Sequence, residues 1–167
     1  MKVTQSSQEA VGSARDGKYL TFSLAGEEYG IGILKVREII GMMPITPVPL
    51  APEFLKGVIN LRGKVIPVVD LRRKFGMEEA QITERTCIIV VEITGGNTHV
   101  LMGIVVDAVS EVLNVRASDI EQTPNLGGSL KADYILGIGK MDGGIKILLD
   151  IDKVLSSQEI LEVHKAA

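Results

Sequence analysis

Tryptophan is absent from these 167 residues, and the other aromatics are few: three Phe and three Tyr. Base-stacking platforms for single-stranded nucleic acid are therefore not expected. A basic surface is missing too. The net charge of -3 offers little to a phosphate backbone, so no nucleic-acid partner is expected. Cys87 is the only cysteine, which excludes an internal disulfide and a multi-cysteine metal site. Its run Cys87-Ile88-Ile89-Val90-Val91 reads as a buried strand, making the thiol a core group rather than a nucleophile. No apolar run reaches the ~20 residues needed to span a bilayer, so no membrane insertion is expected. The polar stretch 1–17 lacks the apolar core of a signal peptide and reads as a flexible tail, with the cytoplasm as the expected location.

What is present is a chain 46% hydrophobic and 23% charged, suited to one folded domain or two small ones sharing a core. Its organising stretch is Gly57 to Leu71, which reads as two apolar strands joined by the polar turn Asn60-Leu61-Arg62-Gly63-Lys64. The pattern returns from Gly137 to Ile151. Gly57 and Gly137, Gly63 and Gly143, and Asp70 and Asp150 each lie 80 residues apart, while Arg62 is replaced by Asp142. Earlier segments repeat as well: Gly30-Ile31 falls on Gly103-Ile104 and Val36–Ile39 on Val109–Val112 at an offset of 73, and Ile45–Pro49 on Ile120–Pro124 at 75. What is shared should be scaffold, and what differs is the place to look for function.

In order, residues 18–24 and 29–33 read as a hairpin closed by Ala25–Glu28, and 34–43 as a short turn and a strand. Pro44, Pro47, Pro49 and Pro52 leave room for only a short edge strand at Ile45–Pro49. Pro52–Lys56 reads as a one-turn helix closed by Gly57. Asp70 is placed to cap a helix at Leu71–Phe75, with Gly76 ending it. A polar connection, 77–84, separates the halves 18–76 and 85–155. The second half opens with strands at 86–93 and 99–106. Ser156 and Glu159 fit a capping box for a C-terminal helix over 156–167. Many short strands with few helices point to two small barrels, packed over a shared apolar layer with a groove between them for a partner.

Catalytic constellations do not assemble. Asp70 and Asp150 are equivalent, but Leu71-Arg72 and Ile151-Asp152 follow them where an aspartic protease needs a hydroxyl residue and glycine, so both read as caps. Gly63-Lys64 fails as a phosphate loop because Val58 and Val65 stand where glycine and a hydroxyl residue belong. His99 and His164 lie in different elements, and no metal or cofactor is expected. Arg62, in a tight turn with an acidic repeat partner, reads either as a solvated turn residue or as a contact that fixes a protein partner. Glu38 beside Ile39 has the same two readings.

Glu28-Tyr29-Gly30-Ile31 with Ile33–Ile39, then Phe54–Gly63 with Val69–Arg72, then Gly103–Val109 and Leu148–Ile151, together resemble the bacterial chemotaxis coupling family, CheW. The resemblance covers residues 18–155. It implies a mainly β fold: two SH3-like five-stranded β-barrels packed together, with short helices. It implies no catalysis, and an adaptor linking the cytoplasmic tip of chemoreceptors to the regulatory domain of the histidine kinase CheA, recruited to membrane-bound receptor arrays. Carried over, receptor contact falls on Val36, Glu38, Ile39, Asn60, Arg62 and Gly63, and kinase contact on Glu121 and Leu126, where relatives often carry a basic and an aromatic residue. Two other readings remain open: a coupling module of a non-chemotaxis signalling array, and a small-molecule enzyme at the inter-barrel cleft using Asp70 and Asp150.

Overall fold

The computed structural model describes residues 16–95, 98–121, 134–141 and 144–166. The tail expected at 1–17 lies outside them except for Asp16 and Gly17, and Gly17 already opens the first strand. The elements are β1 (Gly17–Leu24), β2 (Glu27–Gly32), a 3-10 turn (Ile33–Lys35), β3 (Val36–Gly41), β4 (Leu55–Leu61), β5 (Lys64–Asp70), α1 (Leu71–Lys74), β6 (Cys87–Gly95), β7 (Thr98–Val106), β8 (Ala108–Val115), a second 3-10 turn (Ala117–Asp119), β9 (Ile120–Glu121), β10 (Ile135–Met141), β11 (Gly144–Leu149) and α2 (Ser157–Ala166). The mainly β, SH3-like architecture matches the expectation.

The two sheets do not follow the two halves of the sequence. One runs β9-β10-β11-β2-β1-β8 and the other β3-β6-β7-β5-β4. The first hairpin of each half is lent to the barrel of the other: β2 pairs in parallel with β11, and β7 in parallel with β5. The reason lies in the links. Only Ile33–Lys35 separates β2 from β3, and only Asp107 separates β7 from β8, so each link turns the chain out of one sheet into the other. The boundaries 18–76 and 85–155 therefore describe the repeat but not the barrels.

Three apolar layers result. The shared one holds Leu20, Phe22, Leu24 and Ile31 of the first sheet against Ile89, Val91, Met102 and Ile104 of the second, with Leu71 of α1 and Ile160 and Val163 of α2 at its margin. Inside the second barrel lie Ile59, Ile66, Val68, Ile88 and Val90. The first barrel's interior is smaller, with Tyr19, Val115 and Leu148. Strand alternation dictates this division, since successive side chains point to opposite faces. In β6, Ile89 and Val91 face the shared layer while Ile88 and Val90 face the barrel interior.

Local expectations fare unevenly. Asp70 caps α1 through Oδ1, which accepts the Arg72 N–H at 3.0 Å. Asp150 performs the same service for the Asp152 N–H at 3.1 Å, but a turn rather than a helix follows. The capping box is present: Ser156 Oγ accepts the Glu159 N–H at 3.1 Å and Glu159 Oε1 accepts the Ser156 N–H at 2.8 Å. The one-turn helix expected at Pro52–Lys56 is a turn that passes into β4 at Leu55, because Leu55 is buried and pairs with Val69. The Ile45–Pro49 strand shrinks to a single bridge, Thr46 to Val58, since the flanking prolines supply no N–H. Gly57 permits that bridge: its φ is 151°, and a Cβ there would sit 2.2 Å from the Thr46 carbonyl oxygen. Cys87 is half-buried at the start of β6, and burial pushes its thiol pKa up. Asp142 and Gly143 lie outside the described residues.

Candidate functional site

A hairpin turn and a bulge build the site. Between β4 and β5 the chain reverses through Arg62 and Gly63 alone, both with positive φ, 52° and 87°. Two such residues in succession define the turn whose twist suits a two-residue hairpin. Asn60 Oδ1 accepts the Gly63 N–H at 2.7 Å and fixes the turn. In β3 the pairing with β6 jumps between Val36, opposite Val91, and Glu38, opposite Val90. Arg37 is the extra residue, and a bulge of this kind re-aims neighbouring side chains. Arg37 and Glu38 both reach the same groove.

Glu38 and Arg62 meet across that gap in a two-point ion pair, Nη2 to Oε1 and, at 3.4 Å, Nη1 to Oε2. The hydrogen bonds that the guanidinium donates to Glu38, and then the Glu38 charge, hold its pKa above the usual range. The Arg62 side chain is 69% exposed and that of Glu38 33%, so the pair is a surface feature with one half-covered member. Beside it runs an open groove of about 800 Å³, with Leu61, Val65, Pro67 and Leu101 among its apolar lining and Arg37, Lys64 and Glu92 among its polar residues. The groove lies on the second barrel rather than between the barrels.

Of the residues singled out from the sequence, Glu38, Asn60, Arg62 and Gly63 are brought together. Val36 and Ile39 share β3 with Glu38; Val36 packs against the shared core and Ile39 is 45% exposed. Glu121 lies on the other barrel, paired with Lys140 at 2.6 Å. Leu126 lies outside the described residues. Sequence reading missed the Arg37–Glu92 ion pair and the place of His99, whose Nδ1 is 3.6 Å from Glu92 Oε2 at the groove. The available signal was Glu92, a charge inside the apolar run of β6. Asp70 and Asp150 are each engaged by their own turns, as above. Among the described residues no group of three or more His, Cys, Asp or Glu side chains is arranged to hold a metal ion. No described helix is long and apolar enough to cross a membrane.

Comparison with known proteins gives a consistent set of likenesses. Residues 18–159 match the CheW-like domain. A protein named chemotaxis protein CheW from Klebsiella aerogenes is 41% identical over 150 residues, covering 90% of this chain and 88% of the relative. One of the same name from Rhizobium meliloti is 37% identical over 140 residues, covering 84% of this chain and 88% of the relative. The crystal structure of the scaffolding protein TtCheW from Thermoanaerobacter tengcongensis superposes with a TM-score of 0.75 at 36% identity, covering 87% of this chain and 98% of that one.

Proposed function

The chain belongs to the CheW-like family, and from that premise we propose that it is a non-catalytic adaptor of bacterial chemotaxis signalling, coupling the cytoplasmic tips of chemoreceptors to the regulatory domain of the kinase CheA. The observation that carries the receptor half of this reading is the Glu38–Arg62 pair. It joins residues 24 apart, from two separate signature stretches, on the rim of one groove.

A helical hairpin presents a stripe of apolar side chains with charges on either side. A groove with apolar lining and polar rim accepts one face of such a helix. Leu61, Val65 and Leu101 supply the apolar contact, and Arg37, Glu38, Arg62 and Lys64 supply charges of both signs to set register. Val36, Ile39, Asn60 and Gly63 support that surface from β3 and the turn. Glu121, on the other barrel, and Leu126 are assigned to the kinase. One small protein then bridges two large ones, and many weak contacts in an array reinforce one another through raised effective concentration. The chain works in the cytoplasm, drawn to membrane-bound arrays by its partners. Passing a signal requires contacts that differ between kinase-on and kinase-off states.

The test is a reconstituted kinase assay with receptor signalling fragments and CheA, with and without this protein. Receptor control of phosphorylation that appears only on addition supports the proposal; kinase activity indifferent to the protein rejects it.

A further inference from the structure

Every basic side chain of the groove is missing from the repeat. Arg37, Arg62, Lys64 and His99 all line the groove. At the offset of 73, Ser110 stands for Arg37 and Gly26 for His99; at the offset of 80, Asp142 stands for Arg62 and Gly144 for Lys64. Glu38, by contrast, keeps an acidic counterpart in Glu111. The first barrel is built without any of the four, so they belong to this surface rather than to the scaffold.

Three of them are engaged within the groove. Arg37 pairs with Glu92 and Arg62 with Glu38. His99 Nδ1 lies 3.6 Å from the second Glu92 oxygen. These contacts occupy both carboxylates that line the groove. Lys64 is left over: among the described residues its ammonium has no ion-pair or hydrogen-bond partner. The matching hairpin of the first barrel shows the contrast, since Lys140 on β10 pairs with Glu121 at 2.6 Å. A lysine on a hairpin is ordinarily a solvated charge, but Lys64 adjoins Val65, 49% exposed, and shares the groove with Leu61 and Leu101. A helix seated on those side chains takes water away from the ammonium. A desolvated cation then needs an acceptor, and a carboxylate is the one that offsets its charge. The groove itself has none to spare.

We propose that Lys64 is a specificity-determining contact of the groove, selecting a partner helix that sets a carboxylate against the start of β5. The inference rests on the adaptor reading and names the chemistry read on the receptor tip: an acidic side chain flanking the apolar stripe that packs on Leu61, Val65 and Leu101. The Glu38–Arg62 and Arg37–Glu92 pairs are each neutral and shape the rim, while the unmatched Lys64 sets the sign. A helix with a basic residue at that place brings two cations together out of water and is rejected.

The experiment titrates a receptor signalling fragment against the intact protein, Lys64→Met and Lys64→Glu, at low and high salt, with the CheA regulatory domain as the second ligand. Both variants are expected to melt as the parent does and to bind the kinase domain normally. Lys64→Met should lose about fivefold in receptor affinity with a shallower salt dependence, and Lys64→Glu about twentyfold. Each Asp and Glu of the fragment is then changed to Lys in turn; one such change should weaken binding to the parent and restore binding to Lys64→Glu. Parent-like affinity and salt dependence in a folded Lys64→Glu, a loss that no acid-to-lysine fragment relieves, or an equal loss for the kinase domain overturns the assignment. If Lys64→Glu does not fold, parent-like receptor binding by Lys64→Met does the same. If the parent chain itself binds no receptor fragment, the adaptor reading fails and this inference with it.

Discussion

Arg72 in α1 and Asp107 at the β7–β8 link form a two-point ion pair, Nε to Oδ1 at 3.0 Å and Nη2 to Oδ2 at 2.6 Å. Asp107 Oδ2 also accepts the Ala25 N–H at 2.8 Å, which pins the tip of the exchanged β1–β2 hairpin. The counterpart is charge-reversed. Asp152, 80 residues after Arg72, pairs with Lys35 at 2.6 Å and accepts the Thr94 N–H at 2.8 Å near the end of β6. One N–H on each exchanged hairpin, Ala25 and Thr94, is thus held by a carboxylate that is itself ion-paired.

The first fastening makes stability depend on acid. Burial alone would raise the Asp107 pKa, but the hydrogen bonds from Arg72 and Ala25 and the charge of Arg72 bring it below its ordinary 3.8. A carboxylate depressed in the folded state stabilises fully above its unfolded pKa and loses that stabilisation as pH falls through the folded value. Asp107→Asn should therefore cost about 1–3 kcal/mol at pH 7, and the gap from the parent should close in acid, as pH falls through the folded pKa. Urea unfolding at both pH values measures it; a gap that persists in acid contradicts the assignment.

Arg62 separates turn geometry from contact. Its φ of 52° suits asparagine better than arginine. Arg62→Asn should leave the thermal midpoint unchanged or raise it while deleting the pair with Glu38, so receptor-fragment affinity falls at least severalfold. Calorimetry and a binding titration on one preparation check both halves. A variant that binds normally assigns Arg62 to the turn alone.

Gly57 is the position where the second barrel closes on itself. A Cβ would lie 2.2 Å from Thr46 O and 2.8 Å from Ile45 Cγ2, and the φ of 151° is itself adverse. Gly57→Ala should break the Thr46–Val58 bridge and destabilise by about 3 kcal/mol or more, combining strain with a lost hydrogen-bonded pair. Amide exchange at Thr46 and Val58 reports the bridge; retained protection would refute the account.

How much of this was legible depends on range. The hairpin turn, the Asp70 cap and the capping box are written within three or four residues and could be read directly. So could the repeat, because its spacing survives small insertions. The exchange of hairpins could not. Gly30-Ile31 and Gly103-Ile104 look alike, and likeness does not say which copy pairs with β5 and which with β11. The site was half legible for the same reason: Arg62 stood out against Asp142, but its meeting with Glu38 depends on a bulge at Arg37.

The C-terminal helix offers the last test, because its attachment is both local and long-range. Ile160 and Val163 enter the shared core, and Glu159 serves the capping box while gripping Lys74 of α1, Nζ to Oε2 at 2.7 Å. Burial would raise the Glu159 pKa, but Lys74 and the Ser156 N–H hold it below its usual 4.5, so this attachment also weakens as pH drops through the folded value. Ser156→Ala removes the cap alone and should cost about 1 kcal/mol. Glu159→Gln removes the charge but keeps shape, and should loosen α2 by a similar amount while leaving β6 and β7 protected. Hydrogen exchange over 157–166 follows the helix, and proteolysis confirms release. If the whole chain loses protection together, α2 is an inseparable part of the cooperative core; if only the helix does, the Lys74–Glu159 pair is what holds it there.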